Sequence, residues 1–264
     1  MSAITIRPFG ATDLAPVVAL WNRCMAKDPI TEERFWQFFL LDSNFDPEGA
    51  LVAEADGRVV GFLQAMYRKY PMGTLGTDPN TGWITIFFVD PDFRRQGIAT
   101  KLLETGVAFL RGKGRTVLMC NGYAPYYIFP GVDVEYEAAN AFLQQHGFAV
   151  LSEPVAMGMR LEGVRMPEKV AQRYEELKAE GYAVRPFRRE DTLPLLAFVE
   201  KHFPHWTPSI IDGLQHNNME TLIATCNGEI VGYTEWENTY TDPPKGAAGR
   251  FGPFGVAPDQ RNKG

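Results

Sequence analysis

The chain has 264 residues, of which 45% are hydrophobic and 22% charged, as in globular rather than disordered proteins. That length suffices for one large domain or two ordinary ones. The formal net charge of −6 argues against general binding to nucleic acids or acidic membranes, and no apolar run approaches the roughly 20 residues that span a bilayer. Three cysteines without a C-x-x-C pair and no visible targeting segment predict a reduced, cytoplasmic protein.

The first part of the chain predicts strands and helices in turn. Hydrophobic periodicity and capping residues indicate a strand, two helices and two further strands, at 4–9, 12–25, 31–40, 50–55 and 59–70. The dipeptide Asp56-Gly57 joins the last two strands as a hairpin turn. The second helix is apolar over much of its surface, which is typical of core packing.

An apolar run at 83–89 predicts a buried central strand. Asp90-Pro91-Asp92 ends this strand, because proline has no N–H group to continue the ladder. A helix pattern then begins near Gly97, directly after Arg94 and Arg95. The first N–H groups of a helix have no intrahelical partner and carry partial positive charge. We therefore expect a phosphate or pyrophosphate to bind here; a basic helix start that binds nothing is the alternative.

The motif Val89-Asp90-Pro91 followed by Arg94-x-x-Gly97-x-Ala99 resembles the pyrophosphate loop of the GCN5-related N-acetyltransferases, the GNAT family. The resemblance implies that acetyl-CoA, or another acyl-CoA, is the co-substrate, with its pyrophosphate on this helix. Backbone groups at the end of the central strand would hold the acyl and pantetheine part. The cofactor-binding residues implied are Phe88, Val89, Arg94, Arg95, Gln96, Gly97, Ile98, Ala99 and Thr100.

The elements that follow also fit this family. We predict a strand at 115–120, an aromatic loop at 121–134, a helix at 135–146 and strand material at 148–161. The resulting order, β-α-α-β-β-β-α-β-α-β, resembles the GNAT fold, an α/β architecture around a mixed sheet. We therefore predict an N-terminal GNAT-like acyl-CoA-binding domain over residues 1–161.

Three short segments recur later in the chain, in the same order. The pairs are Ile6-Arg7-Pro8-Phe9 with Val184-Arg185-Pro186-Phe187, Gly57-x-Val59-Val60-Gly61 with Gly228-x-Ile230-Val231-Gly232, and Val89-x-Pro91-Asp92-x-Arg94-x-x-Gly97 with Val256-x-Pro258-Asp259-x-Arg261-x-x-Gly264. We predict a tandem duplication, with a helical linker at 162–181 and a second GNAT-like domain at 182–264. This copy reaches only its pyrophosphate turn, so we expect its remaining elements to follow Gly264.

The resemblance implies direct attack of an amine on the thioester, which needs an acid for the leaving thiolate. Family members commonly carry that acid as a tyrosine four residues before the Gly-Phe that ends the fourth helix. In this chain Leu143 stands at that position, and leucine has no proton to give. The catalytic candidates are therefore Tyr126, Tyr127 and Tyr136.

The strand-borne base that is common in the family is also missing, because no Asp or Glu lies within 83–89. Asp133 or Glu135 is a candidate that acts through water, and both attract a cationic amine. The aromatic loop predicts a partly apolar acceptor. His202 and His205 have no evident third partner, so no metal site is expected.

Two functions remain open from the sequence. The first is an acetyl-CoA-dependent N-acyltransferase that acts on an amine of an unknown small molecule or peptide. The second is a non-catalytic module that binds acyl-CoA or supports structure. Neither nucleic acid nor a membrane is an expected partner. The exposed edge of an incomplete second sheet favours contacts between chains, so an oligomer is possible.

Overall fold

The computed structural model describes residues 3–124, 126, 128–155, 157–216, 220–237, 241–242, 246–247 and 250–263. Tyr127 and Gly264, both singled out in the sequence, lie outside these residues. By its internal contacts the chain divides into two compact units, Met1–Pro154 and Val155–Gly264. Within the described residues, no helix is long and apolar enough to cross a membrane.

The first unit contains one mixed sheet and four helices among its described residues. Its elements are β1 (Ile4–Pro8), α1 (Leu14–Cys24), α2 (Glu32–Phe35) with a π-helical turn (Trp36–Leu40), β2 (Ala50–Ala55), β3 (Arg58–Met66), β4 (Thr81–Val89), α3 (Ile98–Gly112), β5 (Val117–Cys120) and α4 (Glu137–Gln145). The strands lie side by side in sequence order. β1 to β4 pair antiparallel, and β5 pairs parallel to β4. The predicted mixed α/β fold is confirmed.

Apolar side chains cover both faces of this sheet. On one face, α1 and α2 bring Trp21 and Phe35 onto Phe62 of β3 and Phe88 of β4. On the other face, α3 packs Leu102 and its apolar neighbours against β3 and β4. Each fully buried side chain of this size contributes about 1.5–3 kcal/mol. The central strand β4 is therefore held from both sides, which makes its carboxyl end a rigid platform.

The prediction of a strand at 148–161 is wrong. Its described residues, 148–155 and 157–161, form no strand, and Leu151, Val155 and Met157 are exposed. A strand forms only where a neighbour supplies hydrogen-bond partners, and the first sheet ends at β5. The apolar residues of this segment favour a strand, but they do not supply a pairing partner.

The second unit has a four-stranded antiparallel sheet. Its elements are α5 (Glu168–Ala179), β6 (Tyr182–Pro186), α6 (Thr192–His202), α7 (Thr207–His216), β7 (Glu220–Cys226), β8 (Glu229–Glu237), two short strands, β9 (Thr241–Asp242) and β10 (Gly246–Ala247), and β11 (Arg250–Val256). The sheet order is β11-β8-β7-β6. In chain order, β6, β7, β8 and β11 thus lie side by side as β1 to β4 do. The pairing also shifts at matching points, after Ala53 and after Ala224.

Candidate active site

The strands β4 and β5 of the first sheet are paired at their beginning and diverge further along. Their parallel pairing ends at Ile84 and Cys120, and a last hydrogen bond joins the Asn121 N–H to the Ile84 carbonyl at 2.9 Å. Within the described part of the chain, residues 86–89 therefore pair only with β3. This open strand edge offers backbone N–H and C=O groups to an extended ligand.

A β-bulge lies at the start of the open edge. Gln64 pairs with Ile86 and Ala65 pairs with Ile84, so Thr85 is an extra residue on β4. Bulges break the ladder locally and re-aim backbone groups and side chains, often beside active sites. Thr85 is absent from the predicted site residues, because the pattern of an apolar strand does not reveal where a bulge falls.

The buried carboxylate of Asp90 organises the turn after β4. Asp90 is fully buried and accepts hydrogen bonds from Arg23 Nη1 at 2.9 Å and Arg58 Nη2 at 2.6 Å. It also accepts the Asp92 N–H at 3.0 Å, while Arg23 bonds Asp92 as well. These contacts fix the direction in which the chain leaves β4. In the sequence Asp90 is recognisable only as part of a strand end. Its hydrogen-bond partners Arg23 and Arg58 come from distant segments, so its role as an acceptor is not visible there.

The turn leads into the N-terminus of the 15-residue helix α3. Gly97 has φ 78°, and the first intrahelical hydrogen bond joins the Lys101 N–H to the Gly97 carbonyl at 3.0 Å. The N–H groups of residues 98–100 therefore have no intrahelical acceptor. Together with the helix dipole they form an end that favours anions. The predicted helix start after Gly97 is thus present, and anion binding there stays a prediction.

Two side chains hold the Val89 carbonyl at the end of the open edge. Arg94 donates to it from Nε at 3.1 Å, and Cys24 donates from Sγ at 3.5 Å. Burial raises the pKa of the Cys24 thiol, which keeps it neutral. Arg94 is otherwise exposed, as are Arg95 and Gln96. The arginine thus links the open edge to the start of α3 and keeps most of its positive charge in solvent.

Three of the predicted cofactor-binding residues present only their backbone. The side chains of Phe88, Val89 and Ile98 are buried in the core. Any contact of these residues with a ligand at the open edge must therefore use N–H or C=O groups. Ala99 and Thr100 are half-buried, and they complete the first turn of α3.

A small recess lies beside the bulge. Its lining residues are mostly aromatic or apolar, with a few polar groups: Phe38, Phe39, Asp42, Met66, Thr85, Asn121, Gly122, Tyr123, Tyr126, Ile128 and Phe129. The cavity volume is about 20 Å³, enough for a group the size of one water molecule. The recess therefore joins the predicted aromatic loop to the helix α2 region and to β4.

The predicted tyrosines lie in different surroundings. Tyr126 lines the recess, and its ring centroid is 5.6 Å from that of Phe38. Tyr136 precedes α4, and its hydroxyl is buried without a hydrogen-bond partner among the described residues. Burial, with the charges of Asp28 and Asp133, raises the pKa of Tyr136. Tyr127 lies outside the described residues, so its role stays a prediction.

Tyr123 is a recess residue that the sequence did not single out for chemistry. It is buried, and its hydroxyl accepts a hydrogen bond from Asn44 Nδ2 at 2.9 Å. Its ring lies 5.4 Å from the ring of Trp83, edge to face. Burial is the main cause that raises its pKa. An aromatic loop with several tyrosines gives no signal that tells which of them turns inward.

The predicted acids of the loop lie in an ion pair outside the recess. Lys27 Nζ contacts Asp133 Oδ2 at 3.5 Å and also contacts Glu135 Oε2. Both acids are exposed, and neither lines the recess. Neither acid contacts the recess directly, and a role as a base through water stays a prediction.

The second unit reproduces part of this arrangement. Arg261 donates from Nε to the Val256 carbonyl at 3.1 Å, as Arg94 does to Val89. The N–H of Ala257 bonds the Val231 carbonyl at 2.8 Å, as the N–H of Asp90 bonds Val60. Alanine in the place of Asp90 means that the carboxylate network of the first turn has no counterpart here.

A mixed sheet that opens beside a helix N-terminus, with an aromatic recess next to the opening, defines an α/β protein suited to an extended anionic ligand and a second small molecule. A model of the acetyltransferase (GNAT) family matches residues 15–148. The chain belongs to this family, whose acyl donor is acetyl-CoA.

Relatives agree with this assignment. An uncharacterized N-acetyltransferase, YkwB, of Bacillus subtilis is 29% identical over 47% of this chain and 63% of its own length. An acetyltransferase of Sodalis glossinidius is 31% identical over 52% of this chain and 90% of its own. The chain therefore spans about three fifths of the first relative.

A solved structure shares the fold of the whole chain. It is a GCN5-related glucosamine N-acetyltransferase region in a fungal multi-domain GH3 beta-N-acetylglucosaminidase, with a TM-score of 0.76 and 19% identity. The match covers 100% of this chain and 32% of the fungal one. At this identity the likeness concerns the fold alone.

Proposed function

We propose that the first unit is an N-acetyltransferase that moves an acetyl group from acetyl-CoA to the amine of a small molecule or peptide. The observation that carries the proposal is the open edge of β4 directly before the N-terminus of α3. An acyl donor with an extended arm and a pyrophosphate matches these two features in the order in which they occur. Family membership supports the same reading.

The residues present fit this donor. Acetyl-CoA would supply an acetyl group activated as a thioester. The N–H groups of residues 98–100, with Arg94 and Arg95, would hold its pyrophosphate. The Asp90 N–H bonds Val60 of β3, so the backbone groups of Phe88 also face β3. The N–H of Val89 faces the open edge and would hold the arm there. Because these contacts use backbone and charge, they leave the side chains of the recess available for the amine.

Two tyrosines can give the leaving thiolate its proton. Tyr126 lies in the recess with Thr85, whereas Tyr136 lies near Cys24, whose thiol contacts Val89. The two residues thus serve opposite ends of the open edge. A pKa raised by burial keeps Tyr136 protonated at neutral pH, as an acid requires.

The proposal is tested by measuring thiol release from acetyl-CoA with a panel of primary amines. Release that depends on the amine is expected for the wild-type chain. Replacing the acid, in Tyr126→Phe or Tyr136→Phe, should lower kcat by about 10²-fold or more. Tyr70→Phe is the control, because Tyr70 is exposed and outside the recess.

Three outcomes of this experiment distinguish the possible functions. Equal turnover in all three variants would remove both tyrosines as acids while leaving the transferase intact. Binding of acetyl-CoA without release to any amine would contradict the transferase and favour a binding module. Release without an amine would indicate thioester hydrolysis instead.

A further inference from the structure

Asp42 is a buried carboxylate that forms no ion pair among the described residues. Asp42 is only 4% exposed. Oδ1 accepts the Asn44 N–H at 2.8 Å, and the Tyr123 hydroxyl is also close enough to act on the carboxyl group. Both of these partners are neutral. Burying a carboxylate without a counter-ion costs free energy, because the charge loses its hydration and gains no opposite charge. Such a buried carboxylate lowers the stability of the fold, which suggests that its role is to bind a ligand.

No cation of the described chain neutralises this carboxylate directly. The nearest basic residues are engaged elsewhere: Arg68 pairs with Asp78 and lies over the ring of Trp83, and Lys69 donates from Nζ to the Phe45 carbonyl at 2.6 Å. No ion pair within the described residues involves Asp42. The carboxylate therefore lacks a counter-ion, and a small cation that can also donate hydrogen bonds would suit it best.

The recess defines the size and surroundings of that donor. Asp42 and Thr85 both line it, so the carboxylate and the bulge of β4 share one cavity. A volume of about 20 Å³ admits an ammonium group and excludes a larger head. Phe38 and Tyr126 line the recess and are only half-buried, so they would also contact the body of the ligand outside it, which favours an apolar body. Aromatic faces also attract an ammonium group.

We propose that Asp42 binds the ammonium end of the acceptor, and that the acceptor is a primary amine carried by an apolar, preferably aromatic, group. This inference rests on the proposed function, because it assigns the recess to the second substrate. Asp42 then sets the specificity for a cation, and the aromatic residues at the recess set the preference for the group attached to it. A neutral alcohol of the same shape lacks the charge that Asp42 requires.

Binding without acetyl-CoA gives the first test. Calorimetric titrations would use 2-phenylethylamine and its neutral counterpart 2-phenylethanol, with the wild-type chain, Asp42→Asn and Asp46→Asn. Asp46 lies four residues further along the same loop but outside the recess. We expect Asp42→Asn to weaken binding of the amine at least tenfold and to leave the alcohol unchanged. Asp46→Asn should leave both unchanged.

The pH dependence in the wild-type chain gives a second test that needs no variant. Protonation of Asp42 removes its charge, so affinity for the amine should fall as the pH is lowered. The other titratable or charged groups that act on Asp42 are Arg68, Lys69 and Tyr123. Side chains of these types ordinarily titrate near or above pH 10, as does the amine, so Asp42 is the group expected to change charge as the pH is lowered.

Kinetics then separate this inference from the proposed function. In an active enzyme, Asp42→Asn should raise KM for the amine at least tenfold and leave KM for acetyl-CoA unchanged. Equal amine binding by wild type and Asp42→Asn would overturn the assignment of Asp42, whether or not acetyl transfer is seen. Absent transfer with amine binding that still depends on Asp42 would instead contradict only the transferase.

Discussion

At the scale of single residues, Asp13 and Asp42 are two buried aspartates with opposite surroundings. Asp13 accepts hydrogen bonds from Arg7 Nη1 at 2.6 Å and Nη2 at 2.8 Å, and these bonds lower its pKa. Asp42 has no such partner, and burial raises its pKa. The ionised carboxylate of Asp13 stabilises the fold. The ionised carboxylate of Asp42 destabilises it, at a place where we expect a ligand.

These directions predict opposite effects of pH on stability. A carboxyl whose folded-state pKa lies above its unfolded value, about 3.9, favours folding most below that value and loses this contribution as the pH rises through the folded value. Asp42→Asn should therefore be more stable than wild type at pH 8, with the difference vanishing toward pH 3. Urea unfolding at several pH values measures this.

Asp13→Asn is the matched comparison for that series. Its folded-state pKa is lowered, so its contribution is present above the unfolded value and is lost as the pH falls through the folded value. The variant should be less stable than wild type at pH 8, with the deficit shrinking in acid. If Asp42→Asn lost stability at pH 8 as Asp13→Asn does, the carboxylate of Asp42 would have to be paired rather than free.

Site residues were predictable where a short motif carries them. The spacing of Arg94 and Gly97 predicts a basic helix start, and α3 begins there, because this geometry is local. Asp42, Thr85 and Tyr123 come from the loop after α2, a bulge and the loop after β5. Only the folded sheet brings them together, so no local spacing could reveal them.

At the scale of elements, the contact between α3 and β3 decides how closely the helix covers the sheet. Gly106 faces β3, and a Cβ there would lie 2.8 Å from Leu63 Cδ2. Leu63 is fully buried, so it has little room to move. Gly112 ends the same helix, and a Cβ there would meet nothing within 4 Å. The two glycines thus differ in packing while sharing one helix.

This difference predicts the outcome of two alanine substitutions. Gly106→Ala should lower the free energy of unfolding by about 1 kcal/mol, because overpacking costs about 1–3 kcal/mol and the gain in helix propensity is at most about 1 kcal/mol. Gly112→Ala should be neutral or slightly stabilising. Denaturant unfolding of both variants tests the contact, and equal effects would show that α3 does not approach β3 this closely.

Element prediction succeeded where packing and local pattern agree. The strand at 83–89 and the helix after Gly97 carry their own signals of apolar run, breaker and amphipathic period, and both are present in β4 and α3. The segment 148–161 has the pattern of a strand without a neighbour to pair with. Whether such a segment forms a strand depends on the sheet around it, which periodicity does not report.

At the scale of the whole molecule, we propose that residues 182–264 are the N-terminal half of a second GNAT-like domain, joined through 162–181 to a first one at 1–161. The strand order of the second sheet supports this. So do matching hydrogen bonds, since Arg185 binds Asp191 through Nη1 and Nη2, each at 2.7 Å, as Arg7 binds Asp13. The second turn nevertheless lacks the carboxylate of Asp90, having Ala257 instead.

The two units therefore offer one variant and its matched control for the central claim, that acetyl-CoA binds at the start of α3. Arg94 and Arg261 occupy the same position of the repeated motif and make the same hydrogen bond to a strand end. A glutamate at position 94 would place a negative charge beside the pyrophosphate. A glutamate at position 261 would make the same change in the turn without the carboxylate network.

The measurement is a calorimetric titration of acetyl-CoA into the wild-type chain, Arg94→Glu and Arg261→Glu. We expect about one site per chain, an affinity at least tenfold weaker in Arg94→Glu, which corresponds to about 1.4 kcal/mol, and no change in Arg261→Glu. Binding that survives Arg94→Glu but is lost in Arg261→Glu would place the donor in the second unit and contradict the account.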